Sequence, residues 1–245
     1  MRPPSVRLGD GIDGLLSLAA GSAALILSDL PSGETAAEFD RRPDLVAFWR
    51  AAWRAVGPQG QIVLMASSIR FASALIASEP RRFRYDIVWE KSLAVGFFNA
   101  RHRPLRAHEF VLVFFVKKGT YHPQMIRGAG PIHANSRERA ERSTLVVTES
   151  YGKAKSVRGV ARAGATDRYP RSVVRFGSIP TSTSERTHPQ QKPVALLRML
   201  VRQYSNPGDM VIDPFAGSGS TGEAALAEGR RFRGWDSSLR FGSPP

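Results

Sequence analysis

The residues best suited to chemistry gather around one glycine-rich stretch, Asp213-Pro-Phe-Ala-Gly-Ser-Gly-Ser-Thr-Gly222. It follows the strand-like Met210-Val-Ile212 and leads into a helical segment, 221–228. Gly217, Gly219 and Gly222 spell G-x-G-x-x-G, and Asp236 lies about 20 residues beyond Gly217, which is the form of a dinucleotide fingerprint. Two features point away from NAD. Only nine residues follow Asp236, too few for the rest of a dinucleotide domain downstream. Asp213 also puts a carboxylate at the strand end, where a pyrophosphate would be repelled and a cationic group could sit. A positively charged nucleoside ligand fits better. Gly217 and Gly219 would let the backbone approach such a ligand closely. Asp236, after the strand-like 232–235, either accepts hydrogen bonds from ribose hydroxyls or is an exposed acid in a terminal turn. Lys192 and His188 could contact a ligand carboxylate or fix the loop.

The elements that must position these residues read as a three-zone chain. Up to about residue 118, strand and helix signals alternate. Ala23-Ala-Leu-Ile-Leu27 is an apolar run ending in Ser28-Asp29-Leu-Pro-Ser-Gly33, a strand and a loop. Asp44 to Val56 carries apolar residues at helical spacing and stops at Gly57-Pro58. Residues 61–66 and 110–116 are continuous apolar runs of strand length. Such runs, separated by helices, predict an α/β domain whose sheet is buried on both faces. From 117 to 185 the periodicity fades into Gly, Ser, Arg and Thr, expected as long loops and short strands. Regularity returns with a helix over 193–204, Pro193 suiting its first turn. The expected division is a catalytic half, 1–118, an inserted recognition region, 119–186, and a cofactor-binding half, 187–245.

Composition narrows the partners. The chain has 245 residues, 42% hydrophobic and without cysteine, which excludes wholesale disorder, disulfides and thiolate chemistry. No apolar run approaches a membrane span, and the N-terminus lacks a signal-peptide core, so a cytoplasmic protein off the membrane is the simplest expectation. The net charge is +14. Residues 101–186 hold 17 Lys/Arg against 6 Asp/Glu, a surplus of 11 in one third of the chain. That concentration suggests a polyanionic partner, with a solvated basic face as the bland alternative.

Several segments together carry a resemblance. Asp213-Pro-Phe-Ala-Gly-Ser-Gly resembles the S-adenosylmethionine loop, with Phe215 and Gly217 against the cofactor, of amino-group DNA methyltransferases. His188-Pro-Gln-Gln-Lys192 is similar to the element before that loop in the permuted, beta-type branch. Asp29-Leu-Pro-Ser32 resembles the family's catalytic Asp-Pro-Pro-Tyr, and Gly9-Asp10 matches the strand end beside the cofactor's adenine. Trp89-Glu-Lys91 and 99–109 resemble a segment of phage and prophage members. The resemblance implies a circularly permuted, Rossmann-like class I methyltransferase sheet with an inserted irregular DNA-recognition region. It implies S-adenosylmethionine as cofactor, double-stranded DNA as partner, and a prophage or restriction–modification setting. The expected reaction methylates the exocyclic amine of a flipped base, adenine N6 being favoured over cytosine N4. The Asp29 carboxylate and Leu30 carbonyl would hold the amine's hydrogens, with Pro31 shaping the turn.

The sequence departs from that family twice. Leu30 replaces a proline, which matters little if only its carbonyl is needed. Ser32 replaces the aromatic that would stack on the base, a loss of about 1–3 kcal/mol unless Phe39, Phe97 or Phe98 substitutes. Family members also continue past the ribose-binding acid into another helix. The sheet is therefore expected to lack cover on one side unless a partner or a homodimer mate supplies it. A DNA- or cofactor-binding relative that no longer turns over is the alternative from another class. Arg101, Arg103 and Arg106 are expected to grip the DNA backbone, while Tyr121, Tyr151, Tyr169 and Phe176 interleave with basic residues in the recognition region. DNA binding should therefore weaken steeply with salt, losing at least tenfold in affinity between about 50 and 200 mM. Fluorescence anisotropy across a salt series checks this, and a flat profile would contradict the electrostatic footprint.

Overall fold

The computed structural model describes residues 6–37, 40–128, 166–178 and 191–237. They fall into two units, 1–122 with 171–245, and 123–170. Within the second, the described residues include one antiparallel bridge between Ile126 and Arg168.

The first unit is built on a mixed sheet. Its strands are β1 (Val6–Leu8), β2 (Leu25–Asp29), β3 (Gln61–Ala66), β4 (Phe83–Val95), β5 (Arg106–Phe115), β6 (Val173–Phe176), β7 (Met210–Asp213) and β8 (Arg231–Asp236). Their spatial order is β1-β8-β7-β2-β3-β5-β4-β6. From β1 to β3 all neighbours are parallel. β5 then runs antiparallel to both β3 and β4, and β6 returns parallel to β4. The helices are α1 (Gly11–Leu16), α2 (Leu45–Val56), α3 (Ile69–Ser78), α4 (Val194–Tyr204) and α5 (Ser220–Ala227).

Alternation along each strand feeds two cores. Ile26, Ile62, Leu64, Leu112 and Phe114 pack with Phe48, Trp49 and Phe71, which come from α2 and α3. Leu25, Leu27, Val63, Met65, Val111 and Val113 point the other way, onto Leu196, Leu200, Val201 and Tyr204 of α4 and Ala224 and Ala225 of α5. This is why these strands read as unbroken apolar runs rather than alternating ones. Each large side chain so buried contributes roughly 1.5–3 kcal/mol. The helix starts are set locally. Asp44 caps α2 by accepting from the N–H of Val46 and Ala47, and Ser68 caps α3 through the N–H of Phe71.

At this end of the sheet the edge strand β1 leaves Leu8 64% exposed, whereas β8 is covered. Trp235 is buried in the first core and Phe232 in the second, so both sides of that strand are covered. Residues 238–245 lie outside the described set. Gly11 is the tightest approach on the first face, since a Cβ there would run into the Pro214 carbonyl oxygen. Gly11→Ala should therefore overpack the junction of α1 with the β7 loop and destabilise the protein by about 1–3 kcal/mol, measurable as a lower urea midpoint.

Candidate functional site

Because β1, β8, β7 and β2 run parallel, their carboxyl ends share one edge of the sheet. Four acids sit at or just beyond those ends: Asp10, Asp236, Asp213 and Asp29, in that spatial order. All four line a cavity of about 350 Å³, together with Pro31, Lys192, Phe215 and Gly217. Such crevices at strand ends are where open α/β sheets take their ligands.

The glycine loop is shaped by its backbone. Gly217 and Gly219 have φ of +49° and +77°, a region that a side chain disfavours. The Gly217 N–H donates to Asp236 Oδ2 at 3.0 Å, and the Ala216 N–H to the Trp235 carbonyl at 2.8 Å, which ties the loop to the end of β8. Asp10 caps α1, its Oδ1 accepting from the N–H groups of Ile12 at 2.8 Å and Asp13 at 3.0 Å. Asp213 is buried and accepts from the Ser28 hydroxyl at 2.6 Å and the Phe215 N–H at 3.1 Å. Burial pushes its pKa up to about 6, against those hydrogen bonds and one from Thr221 that pull it down.

Asp29 ends β2 and meets Lys192, which was expected either to contact a ligand carboxylate or to fix the loop. The Lys192 ammonium lies 2.8 Å from Asp29 Oδ2 and 3.1 Å from Glu109 Oε2. Glu109 Oε1 in turn sits 3.0 Å from the Lys91 ammonium. The result is a line of four alternating charges, Asp29, Lys192, Glu109 and Lys91, spanning β2, β5, β4 and the segment before α4. Burial by itself lowers the Lys192 pKa, but Asp29 and Glu109 more than reverse this and hold it above the ordinary lysine value. Burial likewise lifts Asp29 above the ordinary Asp value, with Lys192 opposing and Glu109 adding. In Glu109 the two lysines outweigh burial and hold the carboxyl low.

The loop after Asp29 is held by contacts of its own. Leu30 is buried in the first core, so its side chain faces away from the cavity. Ser32 is buried too, its hydroxyl 3.2 and 3.3 Å from the Asp40 carboxylate oxygens. Asp40 also accepts from the N–H groups of Gly33, Glu34 and Thr35 and from the Thr35 hydroxyl, at 2.7–3.1 Å. Those hydrogen bonds outweigh burial and keep the Asp40 pKa low. Position 32 is thus the hinge of a turn wound on Asp40, not an open stacking platform. Arg106 is drawn inward, donating to the Ser67 carbonyl at 2.7 Å. Arg101 and Arg103 stand exposed between β4 and β5. His188, Phe39 and Tyr151 lie outside the described residues. Reading the sequence missed Ser28, Asp40 and the roles of Glu109 and Lys91. Among the described residues no cluster of His, Asp and Glu forms a metal site, and no helix is long and apolar enough to cross a membrane.

This sheet, with a glycine loop after β7 and acids at the strand ends, is the fold of class I methyltransferases. It resembles M1.HpyAVI solved with S-adenosylmethionine, at TM-score 0.62 and 23% identity over 97% of this chain and 94% of that one. It also resembles the cytosine-N4-specific PvuII DNA methyltransferase, at TM-score 0.66 and 14% identity over 97% and 83%. The sequence then specifies the family: the DNA methylase profile matches residues 32–241, and the chain belongs to this N6/N4 family. S-adenosylmethionine is the family's methyl donor. Over 47 residues the chain is 60% identical to the DNA adenine methyltransferase YhdJ of Escherichia coli (strain K12), a segment that is 19% of this chain and 16% of that relative.

The Asp213 environment has a measurable signature. Its folded pKa of about 6 exceeds the ordinary 3.8, so the folded state favours the proton. The stability this confers is fully present below about pH 4 and is lost as pH rises to about 6. Asp213→Asn keeps an acceptor for Ser28 and Phe215 but cannot ionise. The variant should gain about 1–3 kcal/mol relative to wild type between pH 4 and 7, read from urea unfolding at each pH.

Proposed function

We propose that this chain methylates the exocyclic amine of a base in double-stranded DNA, adenine N6 in preference to cytosine N4. The observation that carries the reading is Asp29, charge-paired to Lys192, facing the same cavity as the glycine loop. S-adenosylmethionine suits this cavity. Gly217 removes a side chain from the cavity wall, Gly219 turns the loop behind it, and the row of acids suits a cationic nucleoside with two ribose hydroxyls. Asp236 and Asp10 would take the nucleoside end, with Phe215 and Gly217 beside it and Gly219 and His188 shaping the approach. When bound, the cofactor supplies an electrophilic methyl group on sulfur.

The protein's part is positioning. Lys192 occupies Asp29 Oδ2, which leaves Oδ1 to accept an N–H of the target amine, and the Leu30 carbonyl is the second acceptor. Pro31 holds the turn between them. With both hydrogens held, the amine lone pair is aimed rather than activated by a strong base. Lys192 serves here as the partner of Asp29 instead of a ligand for the cofactor carboxylate. The target base reaches the cavity by leaving the duplex; DNA recognition falls to the sequence region 119–186, and Arg101 and Arg103 grip the backbone. Glycine loop last and Asp29 first is the order of the permuted branch. Adenine is favoured by the YhdJ segment and by the likeness of residues 89–109 to adenine enzymes.

A second reading, cofactor and DNA binding without turnover, is favoured by one observation: Ser32 is committed to the Asp40 turn, and Phe215 is the aromatic among the described lining residues. Expression in a methylation-free host followed by base-resolution mapping separates the two. We expect N6-methyladenine at a defined motif, reduced at least 100-fold by Asp29→Ala, in line with the loss of a catalytic orienting group. Methylated cytosine would overturn the choice of base. An unmethylated genome from a protein that still binds cofactor and DNA would select the second reading.

A further inference from the structure

Resting on that DNA reading, we infer that the tip of the β4–β5 hairpin is an apolar wedge that enters the base stack and fills the gap left by the extruded base. Every residue from 92 to 105 is exposed, so the two strands run clear of the body beyond Lys91 and Arg106. The tip displays Leu93 at 60% exposure, Val95 at 50%, Phe97 at 80% and Phe98 at 100%. Apolar side chains grouped in this way on a soluble protein mark a surface that meets something else.

The tip is built, not loose. Gly96 turns the chain with φ +95°, and a 3-10 turn over Phe97–Asn99 is closed by the N–H of Asn99 on the Gly96 carbonyl and that of Ala100 on the Phe97 carbonyl, both at 2.9 Å. The Arg103 N–H adds a bond to the Asn99 carbonyl at 3.0 Å. Both phenyl rings are therefore presented at the start of an ordered turn.

Charge selects the occupant. Residues 92–108 contain Arg101, Arg103 and Arg106 and two histidines, and no carboxylate. A surface that is apolar at its end and cationic at its flank fits a partner that is anionic outside and stacked inside, which describes a DNA duplex. A second copy of this chain fits poorly, because a two-fold contact through the tip would set Arg101 and Arg103 against their own equivalents. The hairpin also stands over the reaction. Lys91 and Glu109, at its base, continue through Lys192 to Asp29. Apolar wedges between base steps are an established way to stabilise unstacked DNA, and stacked aromatics tolerate any base.

The test uses the full chain and two fluorescein-labelled 30-base-pair duplexes, one intact and one with a central abasic site that supplies the gap in advance. Wild type should prefer the abasic duplex by about tenfold, equivalent to about 1.4 kcal/mol. Phe97→Ala/Phe98→Ala should bring that preference below about twofold while the salt dependence on intact DNA persists, and Phe98→Trp should retain it. Both positions are solvent-exposed, so thermal melting should not move. Retained preference in the double variant overturns the wedge, as does a wild type without preference. A shift of the double variant from dimer to monomer in sedimentation would assign the tip to self-association instead. Failure of wild type to bind either duplex would remove the DNA reading itself, whereas binding that ignores Phe97 and Phe98 removes only the wedge.

Discussion

The ammonium of Lys192 is the interaction on which the site depends. It reaches two carboxylates from different strands, Asp29 on β2 at 2.8 Å and Glu109 on β5 at 3.1 Å. Removing Lys192 leaves Asp29 without its cation and Glu109 with Lys91 alone, which costs far more than an ordinary surface pair is worth. The chain of charges therefore does two jobs. It fixes the rotamer of Asp29, and it joins the parallel half of the sheet to the antiparallel half at the level of the cavity.

The remaining acids differ in how they are committed. Asp10 is spent on the first turn of α1 and Asp236 on the Gly217 N–H, so each shapes the cavity wall through backbone it already holds. Asp213 lies deeper, on Ser28, and carries the burial penalty itself. Four carboxylates on one edge would repel one another in a dry pocket. The structure tolerates them by giving three to hydrogen-bond donors and one to Lys192.

How much of this was legible in the sequence follows from burial. β2, β3, α2, α4 and β7 are buried on a full face or on both, so their apolar runs and the breakers at Gly57 and Pro193 located them closely. β4 was not read as a strand because its residues alternate weakly and are largely exposed, with Arg84, Asp86, Glu90 and Lys91 interrupting any pattern. The glycine loop was recognisable because its constraint is local. Glu109 was not, since an acid at the head of the apolar run 110–116 gives no local sign of its partners, Lys91 and the distant Lys192. Ser32 is legible only as a missing aromatic, because the Asp40 carboxylate that its hydroxyl meets carries no local signal at position 32.

That turn has an evolutionary consequence. Asp40 gathers the chain after Ser32 chiefly through main-chain N–H groups, those of Gly33, Glu34 and Thr35. Main-chain donors exist whatever residue carries them. One carboxylate thus relaxes the sequence constraint at the positions that meet it only through the main chain, while Gly33, at φ +68°, keeps its own. A lineage could change what this loop presents to its surroundings through substitutions at 34 and 36–37, with Asp40 holding the backbone still.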